Sequence, residues 1–344
     1  MFCFEKNRIL LQFHLTGRCN LRCKHCYRTE GDTEPLTTED IKNVIDQFLD
    51  LKKAYNARHS IKKKAHINIT GGEPFFRSDI KEILSYIGSK SDELSYGVLS
   101  NGSFIDEDMM KLLKATYVSF VQLSIDGDRV THDELRAKGD YDRVFDMAER
   151  LEKNGIRTYI SFTANKKNYK HLPKVARECR KRGITKLWSD RLVPIGNGEE
   201  LRELIIDKDE LESYIKVMKK AKGNILVRKL YKTEVTMNRA LQFINSDGCL
   251  YHCSAGQSLI TVDEFGRIMP CRRMPIICGN VFDSTLEEVY YNDPVFKELR
   301  RTDIPRECRG CEYAILCRGG ARCQSYALTG DYKNADPGCP FAFG

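Results

Sequence analysis

Three thiols stand close together near the start of the chain, at Cys19, Cys23 and Cys26 in "CNLRCKHC". Thiolates are soft ligands that hold zinc or iron–sulfur clusters. A structural zinc site is closed by four ligands, and no fourth cysteine follows nearby. Three thiolates instead fit a 4Fe–4S cluster held by three irons, with the fourth iron open for chemistry. Nine more cysteines form a second island: Cys249, Cys253, Cys271, Cys278, Cys308, Cys311, Cys317, Cys323 and Cys339. Cys3 and Cys179 stand alone and read as small buried hydrophobes. Disulfides are not the expected use of these thiols. A chain of 344 residues is large for a disulfide scaffold, and its start, MFCFEKNRILLQFHL, lacks the charged and apolar regions of a signal peptide. Cytoplasm is therefore the expected location.

The elements that would position the thiols follow from the hydrophobic pattern. Apolar runs at Ile9–Leu15, His66–Thr70, Tyr96–Ser100, Ser119–Ile125, Arg157–Thr163 and Lys186–Val193 read as strands. Amphipathic stretches near 38–53, 79–88, 106–114, 141–154 and 169–182 read as the helices between them. This alternation predicts parallel pairing, either in a partial barrel or in an open doubly wound sheet, since six units are too few for eight-fold closure. The first cysteine cluster follows the first strand directly. Loops at the carboxyl ends of such strands form active sites. Gly196-Asn197-Gly198 breaks the pattern, a charged helix follows at about 207–222, and 223–248 reads as a bridge. Beyond it, Asp263-Glu264-Phe265-Gly266 predicts the turn of a hairpin with arms Gln257–Val262 and Arg267–Pro270. "STLEEVYYN" predicts a helix capped by Ser284, with Glu287 three residues on.

Composition excludes other classes. The chain is 41% hydrophobic and 30% charged, with no apolar run long enough for a membrane span. Its formal charge of +8 would suit nucleic acid, but metal-bound thiolates would remove several of those charges. Lys62-Lys63-Lys64 reads as a solvated loop, and no basic stripe is interleaved with aromatics. Neither nucleic acid nor membrane is an expected partner.

CxxxCxxC on the loop after the first strand resembles the signature of radical S-adenosylmethionine (radical SAM) enzymes. The resemblance implies a partial (βα)6 barrel. It also implies that S-adenosylmethionine chelates the open iron, is cleaved reductively to a 5′-deoxyadenosyl radical, and that this radical takes hydrogen from a C–H bond. His25 stands where the family often has an aromatic residue, and its backbone would face the adenine. "ITGGEP" at 69–74 resembles the motif that binds the methionyl amine through Gly71, Gly72 and Glu73. The glycines would let backbone approach the ligand closely. Asn101 in "SNG", Ser124 and Asp126 in "LSIDG", Arg136, and Leu192 in "LVPIGNG" resemble further cofactor contacts at the strand ends. A flavodoxin or ferredoxin-type protein is the implied reductant.

The second island resembles a SPASM domain, small, cysteine-rich and α+β, which in the family holds two auxiliary 4Fe–4S clusters. The implied count is three clusters. By resemblance Cys308, Cys311, Cys317 and Cys339 enclose one of them. The other takes Cys253, Cys271 and Cys323, because Ala321 stands where the family pattern has a cysteine. Cys249 and Cys278 compete as its fourth ligand, or that cluster keeps an open iron. The implied division is a barrel at 1–198, a bridge at 199–248 and the SPASM domain at 249–344.

Most relatives with this pair of domains act on peptides or proteins, so a peptide or protein substrate is favoured. Members that mature sulfatases carry an acidic residue after the cysteine matching Cys271, where this chain has Arg272 and Arg273. Those arginines would either bind a substrate carboxylate or balance cluster charge. With Cys19 so near the start there is no room for an N-terminal recognition domain, so a separate recognition protein, or direct docking of the leader on the barrel, is a further expectation. Two alternatives remain: a small-molecule enzyme acting on a tetrapyrrole, redox-cofactor precursor or sugar, for which "SYALTGD" at 325–331 does not discriminate, and a zinc-stabilised binding module without catalysis.

Overall fold

The computed structural model describes residues 8–28, 31, 33–244, 250–301 and 303–342. All six expected strands form: β1 (Arg8–His14), β2 (Lys64–Thr70), β3 (Leu94–Leu99), β4 (Phe120–Ser124), β5 (Thr158–Ala164) and β6 (Lys186–Arg191). The five expected helices also form: α1 (Thr38–His59), α2 (Ile80–Ser89), α3 (Glu107–Ala115), α5 (Asp140–Lys153) and α6 (Leu172–Lys181). A short helix the pattern did not predict, α4 (Arg129–Leu135), comes between α3 and α5, with the Asp128 carboxylate accepting from Thr131 N. Helix α1 shows why these segments are helical. Thr37 and Asp40 form a reciprocal capping box, and Ile41, Val44, Ile45 and Phe48 fall on one buried face.

Strand alternation divides the sheet into two faces. On β2, Ala65, Ile67 and Ile69 are fully buried, while His66, Asn68 and Thr70 line cavities. On β5, Ile160 and Phe162 are buried, and Tyr159, Ser161 and Thr163 line cavities. One face therefore packs the apolar core, and the other curls around a hollow, polar interior. Side chains from strands as far apart as β1 and β6 line the same cavity, as a partial barrel requires.

The sheet continues past the six units. The order is β10-β9-β8-β1-β2-β3-β4-β5-β6-β7, where β7 is Glu234–Thr236, β8 Leu259–Val262, β9 Arg267–Met269 and β10 Gly279–Asn280. β7 pairs parallel to β6, and β8 pairs parallel to β1 from Leu10↔Leu259 to Phe13↔Val262. The hairpin β8–β9 forms as its turn residues predict. That it also joins the main sheet beside β1 was not predicted. The segment read as a bridge holds α7 (Lys208–Lys222), α8 (Ile225–Leu230) and β7. The C-terminal region adds α9 (Leu286–Asn292), α10 (Pro294–Arg300), α11 (Ala314–Cys317) and α12 (Arg322–Thr329). The cap of α9 is Thr285 paired with Glu288, one residue later than expected. Ser284 and Thr285 each precede a glutamate by three, so the motif leaves that register open.

Candidate active site

The cysteine loop leaves β1 and is held on three sides. Lys24 N donates to Leu135 O at the end of α4, and Gly198 N donates to Cys26 O. Glu73 N donates to Arg18 O at 2.8 Å. Cys19, Cys23 and Cys26 all line one cavity of about 410 Å³ at the carboxyl ends of the strands. Burial pushes the Cys19 and Cys23 thiols up, Cys23 to about 11. Bare thiols are therefore favoured there until a metal takes the proton's place.

Gly71 and Gly72 have a structural consequence beyond the ligand approach expected of them. A Cβ on Gly71 would lie 2.4 Å from Thr16 O, and one on Gly72 would lie 2.2 Å from Arg18 O. Gly71 also has φ +132°, a region costly for other residues. Both line the cavity, but what their size permits is the close seating of this loop against the cysteine loop. Glu73 is fully buried and accepts from Phe75 N, Ser100 Oγ and Asn101 N. Burial raises its carboxyl to about 7 despite those donors.

Three of the other expected contacts, Asp126, Arg136 and His25, form a connected group. Asp126 is fully buried and takes Arg136 Nε at 2.6 Å, His25 Nε2 at 3.2 Å and Thr163 N at 2.7 Å. Burial alone would raise this carboxyl, but Arg136 and His25 outweigh it and hold it well below the usual range. Arg136 Nη1 also lies 3.8 Å from Cys23 Sγ. His25 Nδ1 is a buried nitrogen with no hydrogen-bond partner among the described residues, at the edge of the cavity. Ser124 shares a hydrogen bond with Ser161 at 2.9 Å, and Asn101 Nδ2 donates to Asn20 in the cysteine loop at 2.8 Å. Leu192 lines the cavity too, and its carbonyl accepts from Gln324 on α12.

Sequence reasoning missed several residues here. Tyr27 and Arg28 follow the last cysteine. Arg28 donates to Glu264 in the turn of β8–β9, with one bond at 2.9 Å, and Glu264 is fully buried. The turn motif was legible, but nothing marked Glu264 as a partner of the cysteine loop. Asp190 on β6 was also missed; it lines the cavity and pairs with Arg273 at 2.9 Å. Arg272 lies 5.1 Å over the Tyr27 ring, with Nη1 3.4 Å from Thr70 Oγ1. Both arginines line the same cavity as the thiols.

The second island separates into groups. Cys253, Cys271 and Cys323 are electrostatic neighbours, with Arg273 beside Cys323. Cys278 is not brought to them: its thiol donates to Ile276 O and neighbours Asp293. Cys249 lies outside the described residues. Cys308, Cys311, Cys317 and Cys339 line a common small cavity of about 20 Å³ walled by Leu241, Phe243 and Tyr313. Burial raises Cys308 to about 11 and Cys317 to about 12. Among the described residues no three His, Cys, Asp or Glu side chains converge on a single ion. A cubane has separate corner irons, so its thiolates need not meet at one point, and these donor sets fit it.

Residues 13–179 match the Radical SAM superfamily, and residues 249–312 match SPASM, an iron-sulfur cluster-binding domain. The chain is 28% identical over 348 residues to the AdoMet-dependent heme synthase of Methanosarcina barkeri, covering 96% of this chain and 95% of that one. It is 27% identical over 346 residues to the PqqA peptide cyclase of Gluconobacter oxydans, covering 94% and 88%. The structure of Streptococcus suis SuiB bound to its precursor peptide SuiA superposes with a TM-score of 0.74 at 17% identity, covering 96% of this chain and 75% of that one. The fold, the thiol-lined cavity and these matches agree: the chain belongs to the radical SAM superfamily, carries a C-terminal SPASM iron–sulfur domain, and is a radical SAM enzyme.

Proposed function

We propose that this enzyme modifies a ribosomally made peptide or protein, abstracting hydrogen from a side chain or backbone to start an oxidation or cross-link. When bound, the reduced cluster and S-adenosylmethionine supply a 5′-deoxyadenosyl radical, which takes that hydrogen. Cys19, Cys23 and Cys26 would hold the cluster. Asn101, Ser124, Arg136 and Leu192 line the space S-adenosylmethionine would take, Glu73 lies behind that lining and holds Asn101 N, and the buried Asp126 orients Arg136 and His25. Cys308, Cys311, Cys317 and Cys339 would hold one auxiliary cluster, and Cys253, Cys271 and Cys323 another, for three in all. A flavodoxin or ferredoxin-type donor, and a separate peptide-recognition protein, complete the proposed system.

The observation that carries the peptide reading is Arg272 in the same cavity as the three thiols. Arg273 is already matched by Asp190, whose carboxyl it helps hold low against burial. Among the described residues no carboxylate pairs with Arg272, which stands ready for an acidic residue beside the modified position. Likeness to the PqqA peptide cyclase and to peptide-bound SuiB supports this choice. A tetrapyrrole carboxylate is the second reading, favoured by the match to the heme synthase over nearly the full length of both chains.

The test is hydrogen transfer. The anaerobically reconstituted protein is given a reductant, S-adenosylmethionine and a library of deuterated acidic peptides. Deuterium in the released 5′-deoxyadenosine supports the proposal. Transfer only from a deuterated tetrapyrrole carboxylate overturns it in favour of the second reading. Arg272→Ala is expected to raise KM for the acidic peptide roughly tenfold or more, the worth of a hydrogen bond to a charged group, with unproductive cofactor cleavage unchanged.

A further inference from the structure

A second cavity, of about 1280 Å³, opens at the other end of the barrel from the cysteine loop. Its walls are the amino ends of the parallel strands: Arg8 opens β1, Lys64 opens β2, Arg157 precedes β5 and Lys186 opens β6. No Asp or Glu is among its described lining residues. Lys186 meets a carboxylate outside the lining, Glu234 at 2.9 Å, and Arg157 donates to Ser119 O. Cations gathered in a concave wall focus a positive potential on the space they enclose.

The chamber is also built of rings. Phe120 stacks on Tyr159 at 4.3 Å and faces His66 at 5.8 Å. Gly97 on β3 makes that possible, since a Cβ there would fall 2.4 Å from the Phe120 ring. Arg239 lies 4.3 Å over the Trp188 ring. Trp188 and Gln122 line both this chamber and the thiol cavity, joined by a 3.1 Å hydrogen bond. They form the partition between the two spaces.

We infer that the lower chamber binds a run of carboxylates. Resting on the peptide proposal above, the occupant is an acidic segment of the substrate, whose modified residue reaches past Trp188 to the radical site. Charge complementarity supports this occupant, and so does continuity with the thiol cavity. An extended chain advances 3.3 to 3.6 Å per residue, so roughly six residues cover the height of the barrel strands and separate the acidic run from the modified position.

The test uses the reconstituted full-length protein and fluorescein-labelled hexaglutamate, followed by anisotropy without turnover. Saturable binding is expected, with none for labelled hexaglutamine. The triple variant Arg58→Gln, Lys64→Gln, Arg157→Gln changes chamber residues that are exposed. It should bind roughly tenfold more weakly, as expected for three solvated ion pairs, with cofactor cleavage in the absence of peptide unchanged. Three results overturn the inference: no hexaglutamate binding, binding of benzenehexacarboxylate alone, or equal affinity in the triple variant. Because no turnover is needed, a failed deuterium transfer would refute the peptide substrate without altering the binding result.

Discussion

Glu264 has no exposed surface, and its carboxylate is answered by the Arg28 guanidinium. His14 lies 3.9 Å away but is kept neutral, its pKa held well below normal by burial and then by Arg272 and Arg28. Glu264→Gln should therefore strand a buried cation and cost about 3 kcal/mol or more in urea unfolding. The apolar pair Arg28→Met with Glu264→Leu should recover most of that loss. A second residue sets a pH dependence. Burial, with a smaller push from Arg8, holds His66 at about 4 against an ordinary 6.5. Between those values the unfolded chain binds a proton that the folded chain refuses. The contribution is complete above 6.5 and is lost as pH falls towards 4. His66→Gln should flatten the fall in unfolding free energy over that window, by at most about 3 to 4 kcal/mol, read by urea unfolding at each pH. At this scale the cysteine groups were legible because thiol spacing is itself the signal. Arg28, Glu264 and Asp190 were not, because their meaning lies in contacts between residues far apart in sequence.

Each strand and helix of the first six units was readable because a half-buried element writes its period into the chain. Helix α4 escaped because it is only seven residues long and offers no buried apolar stripe. Strands β7 and β8 are short, and nothing in their composition names the neighbour they join. The glycines of "ITGGEP" were found as a motif, yet their role needed coordinates: they face Thr16 and Arg18 backbone, which cannot yield as a flexible side chain would. Gly72→Ala should accordingly displace the cysteine loop while the rest of the sheet folds. Its iron content after reconstitution should fall to that of a variant with Cys19, Cys23 and Cys26 all changed to Ala. That triple variant should lose reductive cleavage of S-adenosylmethionine altogether, read as 5′-deoxyadenosine by chromatography.

Across the whole molecule, the two cysteine regions are tied by buried ion pairs. Arg191 at the end of β6 pairs with Asp336, both almost without exposure, and Asp336 also accepts from Ala321 N near Cys323. If the auxiliary clusters relay an electron away from a substrate radical, changing Cys308 or Cys339 to Ala should lower net substrate oxidation more than cofactor cleavage. Equal retention of both would leave that cluster a structural part only. The enzyme class was legible because two cysteine patterns are specific. The substrate was not, because the residues proposed to choose it, Arg272, Trp188 and those of the lower chamber, are assembled from many strands.

The pairing of β1 with β8 sets a schedule for biogenesis. Leu10 leaves the ribosome long before Leu259, and at about 5–20 residues per second the wait is roughly 12 to 50 s. Throughout that interval the strand that carries the cysteine loop presents a bare edge, open to any other nascent chain. The partner of Arg28 arrives with the same late hairpin. Metal loading at Cys19, Cys23 and Cys26 before then would act on an unlatched loop. Chaperone cover and late cluster delivery are thus demands that the strand order places on the cell.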